Sequence, residues 1–219
     1  MALDVSRKEG GGILGFFGSL FGFSKKDNLK SKVMDVIVRL RAQHDKLGDV
    51  VYRLESRGRE LFDMAVKALE SRDLAKATVY AAEVAEIRKI AKTVMTAKLA
   101  LERVALRLET IREMGDLLVT LGPVVGVVKE LRSVLMGVMP ETALELREID
   151  DLLESVIIDA GEFMGVESDV YLINEEAKKI LQEATMIAEQ RMKERFPELP
   201  SSTAPSTLPQ PPAATEESK

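Results

Sequence analysis

One histidine and no cysteine narrow the chemistry open to this 219-residue chain. Without thiols there are no disulfides and no thiolate zinc sites, a usage that fits a reducing compartment. A di-iron helical bundle asks for a Glu-x-x-His on each of two helices, and only His44 is present. No nucleophile–base pair stands out, and Gly10–Gly12 follow no strand, as a phosphate-cradling glycine loop would require. The reading is therefore of no enzyme, no cofactor and no metal. His44 itself falls in an apolar helical seam, where a packed or partly solvated core residue is expected. The residues whose types and spacing could do work lie at the two ends of the chain: GGGILGFFGSLFGF at 10–23 and FPELP at 196–200. Their chemistry is that of adhesion.

At about 100° per residue, Ile13, Leu14, Phe16, Phe17, Leu20, Phe21 and Phe23 occupy one half of a helical wheel. Gly15, Gly18, Ser19 and Gly22 occupy the other. Eleven residues are too few to span a bilayer, and the Lys25-Lys26-Asp27 sequence that follows does not suit a secretory signal. A one-sided apolar helix with basic flanks can lie in the plane of a membrane interface. Lys25, Lys26, Lys30 and Lys32 would add attraction to anionic headgroups, about 1 kcal/mol for each charge near the surface. The expected partner at this end is anionic membrane lipid. Packing of the stretch on the rest of the protein or on a neighbouring subunit is the alternative.

The elements that must position these ends are helices throughout. Apolar residues from Val33 through Ile37, Leu40, His44, Leu47, Val51, Leu54, Gly58, Leu61, Ala65 and Ala68 keep a regular 4-3 seam. Asp27 is the expected N-cap of that helix, and Ser71 or Asp73 the cap of the next. A second stripe runs from Leu74 through Ala77, Ala81, Val84, Ile87, Ile90, Val94, Ala97, Leu101, Val104 and Leu108 to Ile111. At 1.5 Å per residue each helix comes to roughly 65 Å, and a tight turn between them predicts an antiparallel hairpin. Gly58 in the seam marks close packing or a bend. Shorter helices are expected from Pro123 to about Gly137, from Glu141 to Gly161, and from a cap at Ser168 to Arg195. Six of the eight prolines lie in the last 23 residues, so the segment from about Phe196 reads as an extended tail.

This gives an all-α chain in three parts: residues 1–26 as an amphipathic membrane-binding segment, 27–195 as a helical core, and 196–219 as a Pro-rich tail. The core divides into a hairpin at about 28–118 and shorter acidic helices at about 123–195. Charge divides it too. Residues 1–112 carry 22 Lys and Arg against 15 Asp and Glu, a net of +7; residues 113–219 carry 9 against 21, a net of −12. The two halves can attract one another, and the expectation is a basic hairpin that assembles and an acidic half that restrains it. Residues 24–112 contain few aromatics and only a modest basic excess, so no nucleic-acid partner is expected.

The segment KALESRDLAKATVYAAEVAEIRKIAK at 67–92 resembles the hairpin turn of the ESCRT-III family. Ser71-Arg72-Asp73 stands where that pattern has Gly-Asp, and Tyr80, Ala81, Ile87, Arg88 and Lys89 fall near the family spacing, with one extra residue between Tyr80 and Ile87. The helical resemblance covers about residues 28–195. Phe196, Pro197, Leu199 and Pro200 resemble the family's proline-based MIT-interacting motif, although the next proline, Pro205, comes later than in the full pattern. With no winged-helix-like segment after the tail, the resemblance is to the shorter archaeal cell-division (CdvB-like) paralogues, and few Asn and Gln agree with a hot-growing source.

The resemblance implies an ESCRT-III-like fold and a homo- or hetero-polymer with ESCRT-III paralogues on the cytosolic membrane face, at the division site. It also implies constriction or scission of membrane in cell division or vesicle budding, and disassembly by an MIT-domain AAA-type ATPase docked on Phe196, Pro197, Leu199 and Pro200. A membrane-maintenance protein similar to phage-shock protein A would share the hairpin and the anchor but leaves FPELP unexplained. A soluble coiled-coil scaffold would instead use the N-terminal stretch to dock protein.

Overall fold

A computed structural model describes residues 12–111, 114–164 and 173–196. They form five helices: α1 (Gly12–Glu70), α2 (Leu74–Glu109), α3 (Met114–Met136), α4 (Pro140–Met164) and α5 (Ile173–Arg195). No strand occurs among the described residues, and the fold is all-α and ESCRT-III-like. α1 and α2 form the long antiparallel hairpin. α3 and α4 make a second, shorter hairpin packed at its open end, and α5 lies along α2 and α3.

The turn at the hairpin's closed end follows from three residues. The amide of Asp73 donates to the Ala68 carbonyl at 2.9 Å and that of Arg72 to the Leu69 carbonyl at 2.9 Å. This pair of bonds ends a helix in a Schellman motif, whose penultimate position is left-handed and usually glycine. Here Arg72 takes it, at φ 57°. Asp73 then caps α2, its carboxylate accepting from the Lys76 amide at 3.1 Å, and that hydrogen bond holds the Asp73 carboxyl below its ordinary range. The expected cap is confirmed.

Three other expectations are corrected. Asp27 caps nothing, since α1 runs through it without a break from Gly12. No Gly or Pro separates Phe23 from Leu47, so nothing in that stretch stops helix propagation. Pro123 does not open α3 but sits inside it, buried in a helix whose residues from Leu121 to Val128 are all buried except half-buried Gly126. A helix apolar on all sides is a central one, and close packing outweighs the backbone hydrogen bond that proline removes. Leu74, placed in the seam, is 68% exposed, because it lies at the closed end where only two helices meet. The proposed cap Ser168 lies outside the described residues.

The hairpin helices are unequal, 59 residues against 36. Arg41 of α1 pairs with Glu109 at the end of α2, 2.5 Å apart, so α1 before about residue 40 extends past α2. α4 flanks that stretch: Lys32 donates to Asp159 at 2.6 Å and to Ser155 at 3.3 Å.

Between α3 and α4, Arg132 Nη1 donates to Asp150 Oδ2 at 3.2 Å, while Asp150 Oδ1 is buried without a hydrogen-bond partner. Burial pushes the Asp150 carboxyl up, against the opposing pull of Lys129 and Arg132.

Two predictions follow from these local features. Replacing Arg72 with Gly removes a left-handed non-glycine residue at a cost of about 1–2 kcal/mol, offset in part by the ~0.5–1 kcal/mol of freedom glycine loses on folding. The variant should gain a few tenths to 1 kcal/mol in chemical denaturation, and a loss would show that the Arg72 side chain has a role of its own. For Asp150 the folded pKa lies above the unfolded one, so the folded chain binds the proton better. Its contribution to stability is then most favourable at acid pH and declines as pH rises through the folded pKa. Asp150→Asn should therefore improve in stability relative to the parent as pH rises from 3 to 7, measured by denaturation at each pH; a constant difference would refute the sign.

Candidate interaction sites

The N-terminal adhesive residues divide at the edge of what is described. Ile13, Leu14, Phe16, Phe17, Leu20, Phe21, Phe23, Lys25 and Lys26 lie within the helical span of α1, and their side chains are outside the described residues. Lys30 is exposed. Lys32 is engaged by Asp159 and Ser155 of α4 instead of standing free on the surface. A basic residue of the N-terminal cluster thus already has an acidic partner within the chain.

The charge asymmetry of the sequence becomes a set of ion pairs between the two halves. Along α1 and α4, Lys32 meets Asp159, Arg39 meets Glu148 at 3.6 Å, and Lys46 meets Glu145 at 2.9 Å. Along α2 and α5, Arg107 pairs with Glu176, Arg103 with Glu183, and Lys92 with Glu189 at 2.7 Å. The residue order rises on one helix as it falls on the other in both sets, so both contacts are antiparallel. In all six pairs the base is on the hairpin and the acid on the second half. The Lys92 ammonium holds the Glu189 carboxyl below its usual range. Each pair is substantially exposed and contributes at most about 1 kcal/mol. Together they fix the register of helices that apolar contacts alone would hold less specifically.

A seventh contact reverses the polarity. Glu55 of α1 is 6% exposed, and Arg195 at the end of α5 donates to its Oε1 at 3.0 Å, with Arg59 Nη2 3.9 Å from Oε2. Beside it lies Phe196, which the sequence assigns to an extended tail. The structure corrects this: Phe196 is 2% exposed, among the most buried large side chains of the protein. Its amide donates to the Met192 carbonyl at 3.0 Å, the ordinary α-helical bond carried one residue past Arg195, and the ring lies against α1. The residue before a proline is steered out of the helical region, and Pro197 explains why α5 stops here.

The ring rests over Gly58. A β-carbon placed on Gly58 would lie 3.2 Å from Phe196 Cε1 and 3.6 Å from Ile87 Cγ2. The seam glycine is thus a notch, and its close-packing explanation is the right one. Reasoning from sequence missed both Glu55 and this use of Phe196. The signals were present: a glycine where the 4-3 seam wants a large residue, and an aromatic just past the last helix. Of the other residues expected to dock a partner, Pro197, Leu199 and Pro200 lie outside the described residues.

His44 is half-buried in the seam, its Nδ1 2.9 Å from Asp45. Among the described residues no cluster of three or more His, Cys, Asp or Glu could hold a metal ion. Among them, too, no helix is long and apolar enough to cross a membrane. Exposed apolar side chains are spread along the described helices, Met34, Tyr52, Val119, Ile158 and Met186 among them, and include Met64, Leu69, Leu74 and Val79 at the closed end of the hairpin.

Comparison with known proteins returns a consistent set of relatives. The chain is 45% identical over 176 residues to "Cell division protein B1" of Sulfolobus acidocaldarius, an alignment covering 80% of this chain and 82% of that one. It is 35% identical over 185 residues to "Cell division protein B" of the same organism, covering 84% and 70%. A third, "Cell division protein B3", is 25% identical over 167 residues, covering 76% of this chain and 96% of the relative. No family model and no solved structure matches.

If the ion pairs hold α5 in register on α2, reversing Glu176, Glu183 and Glu189 to Lys should loosen it without unfolding the hairpin. Hydrogen exchange should then speed up along residues 175–196, with the α2 amides at 91–104 little changed. Uniform protection in the triple variant would show that the pairs contribute nothing to the docking of α5.

Proposed function

Because this chain belongs to the archaeal cell division protein B (CdvB) family of ESCRT-III-like proteins, we propose that it is the subunit of a cell-division polymer that binds the inner face of the membrane and drives its constriction or scission. Its role in this reading is mechanical and not catalytic. It co-assembles with paralogues, and an MIT-domain AAA-type ATPase disassembles the polymer through Phe196, Pro197, Leu199 and Pro200. The existence of several related cell-division proteins in one organism supports assembly among paralogues.

The observation that carries the membrane part is the continuity of α1 from Gly12 to Glu70. At about 100° per residue, the large apolar residues of 13–23 cover one half of the helical wheel, and Gly15, Gly18, Ser19 and Gly22 the other. Leu29, Val36 and Leu40 are buried and Val33 is packed against the core. The one-sided apolar pattern of residues 13–23 supports lipid contact through the first turns of this helix. Room for polymer contact is left at the closed end of the hairpin, where only two helices meet and Met64, Leu69, Leu74 and Val79 are exposed.

The membrane reading is tested by replacing Phe17 and Phe21 together with Ser and measuring co-sedimentation with anionic liposomes at moderate salt. Loss of both rings removes roughly 3–6 kcal/mol of apolar transfer, so binding should fall by at least a hundredfold. Unchanged sedimentation would defeat the anchor and favour a soluble scaffold that docks protein through the same residues.

A further inference from the structure

Asp150 is an acid buried where two helices meet. It lies on α4 at 3% exposure, and only one of its two oxygens is used. Oδ2 accepts from Arg132 Nη1 of α3 at 3.2 Å, while Oδ1 is buried without a hydrogen-bond partner among the described residues. We propose that the contact between α3 and α4 is a proton-dependent joint, closed most firmly when Asp150 carries a proton and loosened when it gives that proton up.

A neutral carboxyl leaves Oδ1 with a modest desolvation cost, whereas a carboxylate leaves there part of a full negative charge that water would otherwise solvate. Arg132 offsets some of that charge, but its side chain is 36% exposed and its bond reaches the other oxygen. Burial is the largest influence on this carboxyl and pushes it up; Lys129 and Arg132 pull it down, and Glu154 and Asp151 push it up. Lys129 is itself engaged by Glu154 at 2.7 Å. A cleft of about 420 Å³, lined by Asp150 with Met136, Leu144 and Arg147, opens between the two helices, which gives a proton a short path from solvent.

The other helix packed on α4 is α1, and it presents Lys32, Arg39 and Lys46 to Asp159, Glu148 and Glu145. Those pairs need their carboxylates ionised, whereas the joint with α3 needs Asp150 neutral. The two sides of α4 therefore respond to protons in opposite directions. Acid shifts the hold on α4 from α1 toward α3, and a rise in pH shifts it back. For the joint the sign is fixed by linkage: a group that binds its proton better when closed contributes most at acid pH, and that contribution is lost as pH rises through its closed-state pKa.

The test uses the full chain, with the Asp150 carboxyl titrated by carbon-13 magnetic resonance and hydrogen exchange followed from pH 3 to 7. Exchange of the α3 amides at 124–135, measured against the α2 amides at 91–104, should rise in the parent by roughly threefold or more relative to Asp150→Asn as Asp150 ionises. Arg132→Gln removes an attractive charge and should move the Asp150 midpoint to higher pH. Glu154→Gln removes a repulsive charge, frees Lys129, and should move it to lower pH. These two variants keep the test decisive if Asp150→Asn fails to fold, and a purely structural role for the side chains would not drive the midpoint in opposite directions. An α3 exchange rate that stays level while Asp150 ionises, or that rises equally in Asp150→Asn, would overturn the joint. So would an Asp150 carboxyl that titrates at or below the ordinary aspartate value.

Discussion

Leu99, Ala100 and Leu101 are consecutive and all buried, and on that requirement of α2 the rest of the fold depends. Three neighbours on a helix spread over about 200° of its circumference, so no single partner can cover them. α1 covers one side, and α3 and α5 must supply the other. Toward the closed end the demand disappears: from Ser71 to Glu83 only Ala77 is buried, and the hairpin stands as two helices. The molecule is therefore graded from a five-helix base to a two-helix tip. Surfaces that could join other subunits remain open at one end, while the acidic half is confined to the other.

The gradient also explains why charge matters here although each pair is weak. Apolar contact on a helix as rich in Ala as α2 fixes which faces meet but tolerates sliding. Lys92, Arg103 and Arg107 meet Glu189, Glu183 and Glu176 in order, and shifting α5 by a turn would misalign them all. The same logic applies to Lys32, Arg39 and Lys46 against α4. The basic excess of residues 1–112, a net of +7, set against the acidic excess of residues 113–219, a net of −12, thus acts as register control, which individually weak pairs can supply when they act together.

Much of this was legible in the residues. The 4-3 seam, the turn at Ser71–Asp73 and the charge division each follow from spacing or sign, and each stands in the structure. What was not legible depends on long-range packing. Pro123 signals a helix start only where the helix is free to choose, and the buried environment of α3 overrides it. Lys32 sits beside Lys30 in sequence and looks like part of one basic cluster, yet it meets an aspartate 127 residues away. Phe196 carries a proline-rich context that argues for extension, and Gly58 lies 138 positions earlier. Neither residue alone announces the other.

Two kinds of force hold α5. Its pairs along α2 are exposed and weaken as ionic strength rises. Its end is held by an aromatic ring on a glycine and by an arginine on a buried carboxylate, contacts that salt screens far less. A rise in ionic strength would therefore loosen the middle of α5 while the anchored end remains. Removal of the Phe196 ring would do the reverse, releasing the end while the ion pairs still hold the register. Full separation of α5 from the hairpin requires both, and because the ring is a single group, its release has the character of a discrete step. The helix that covers α2 thus ends in the ring that fastens it to α1.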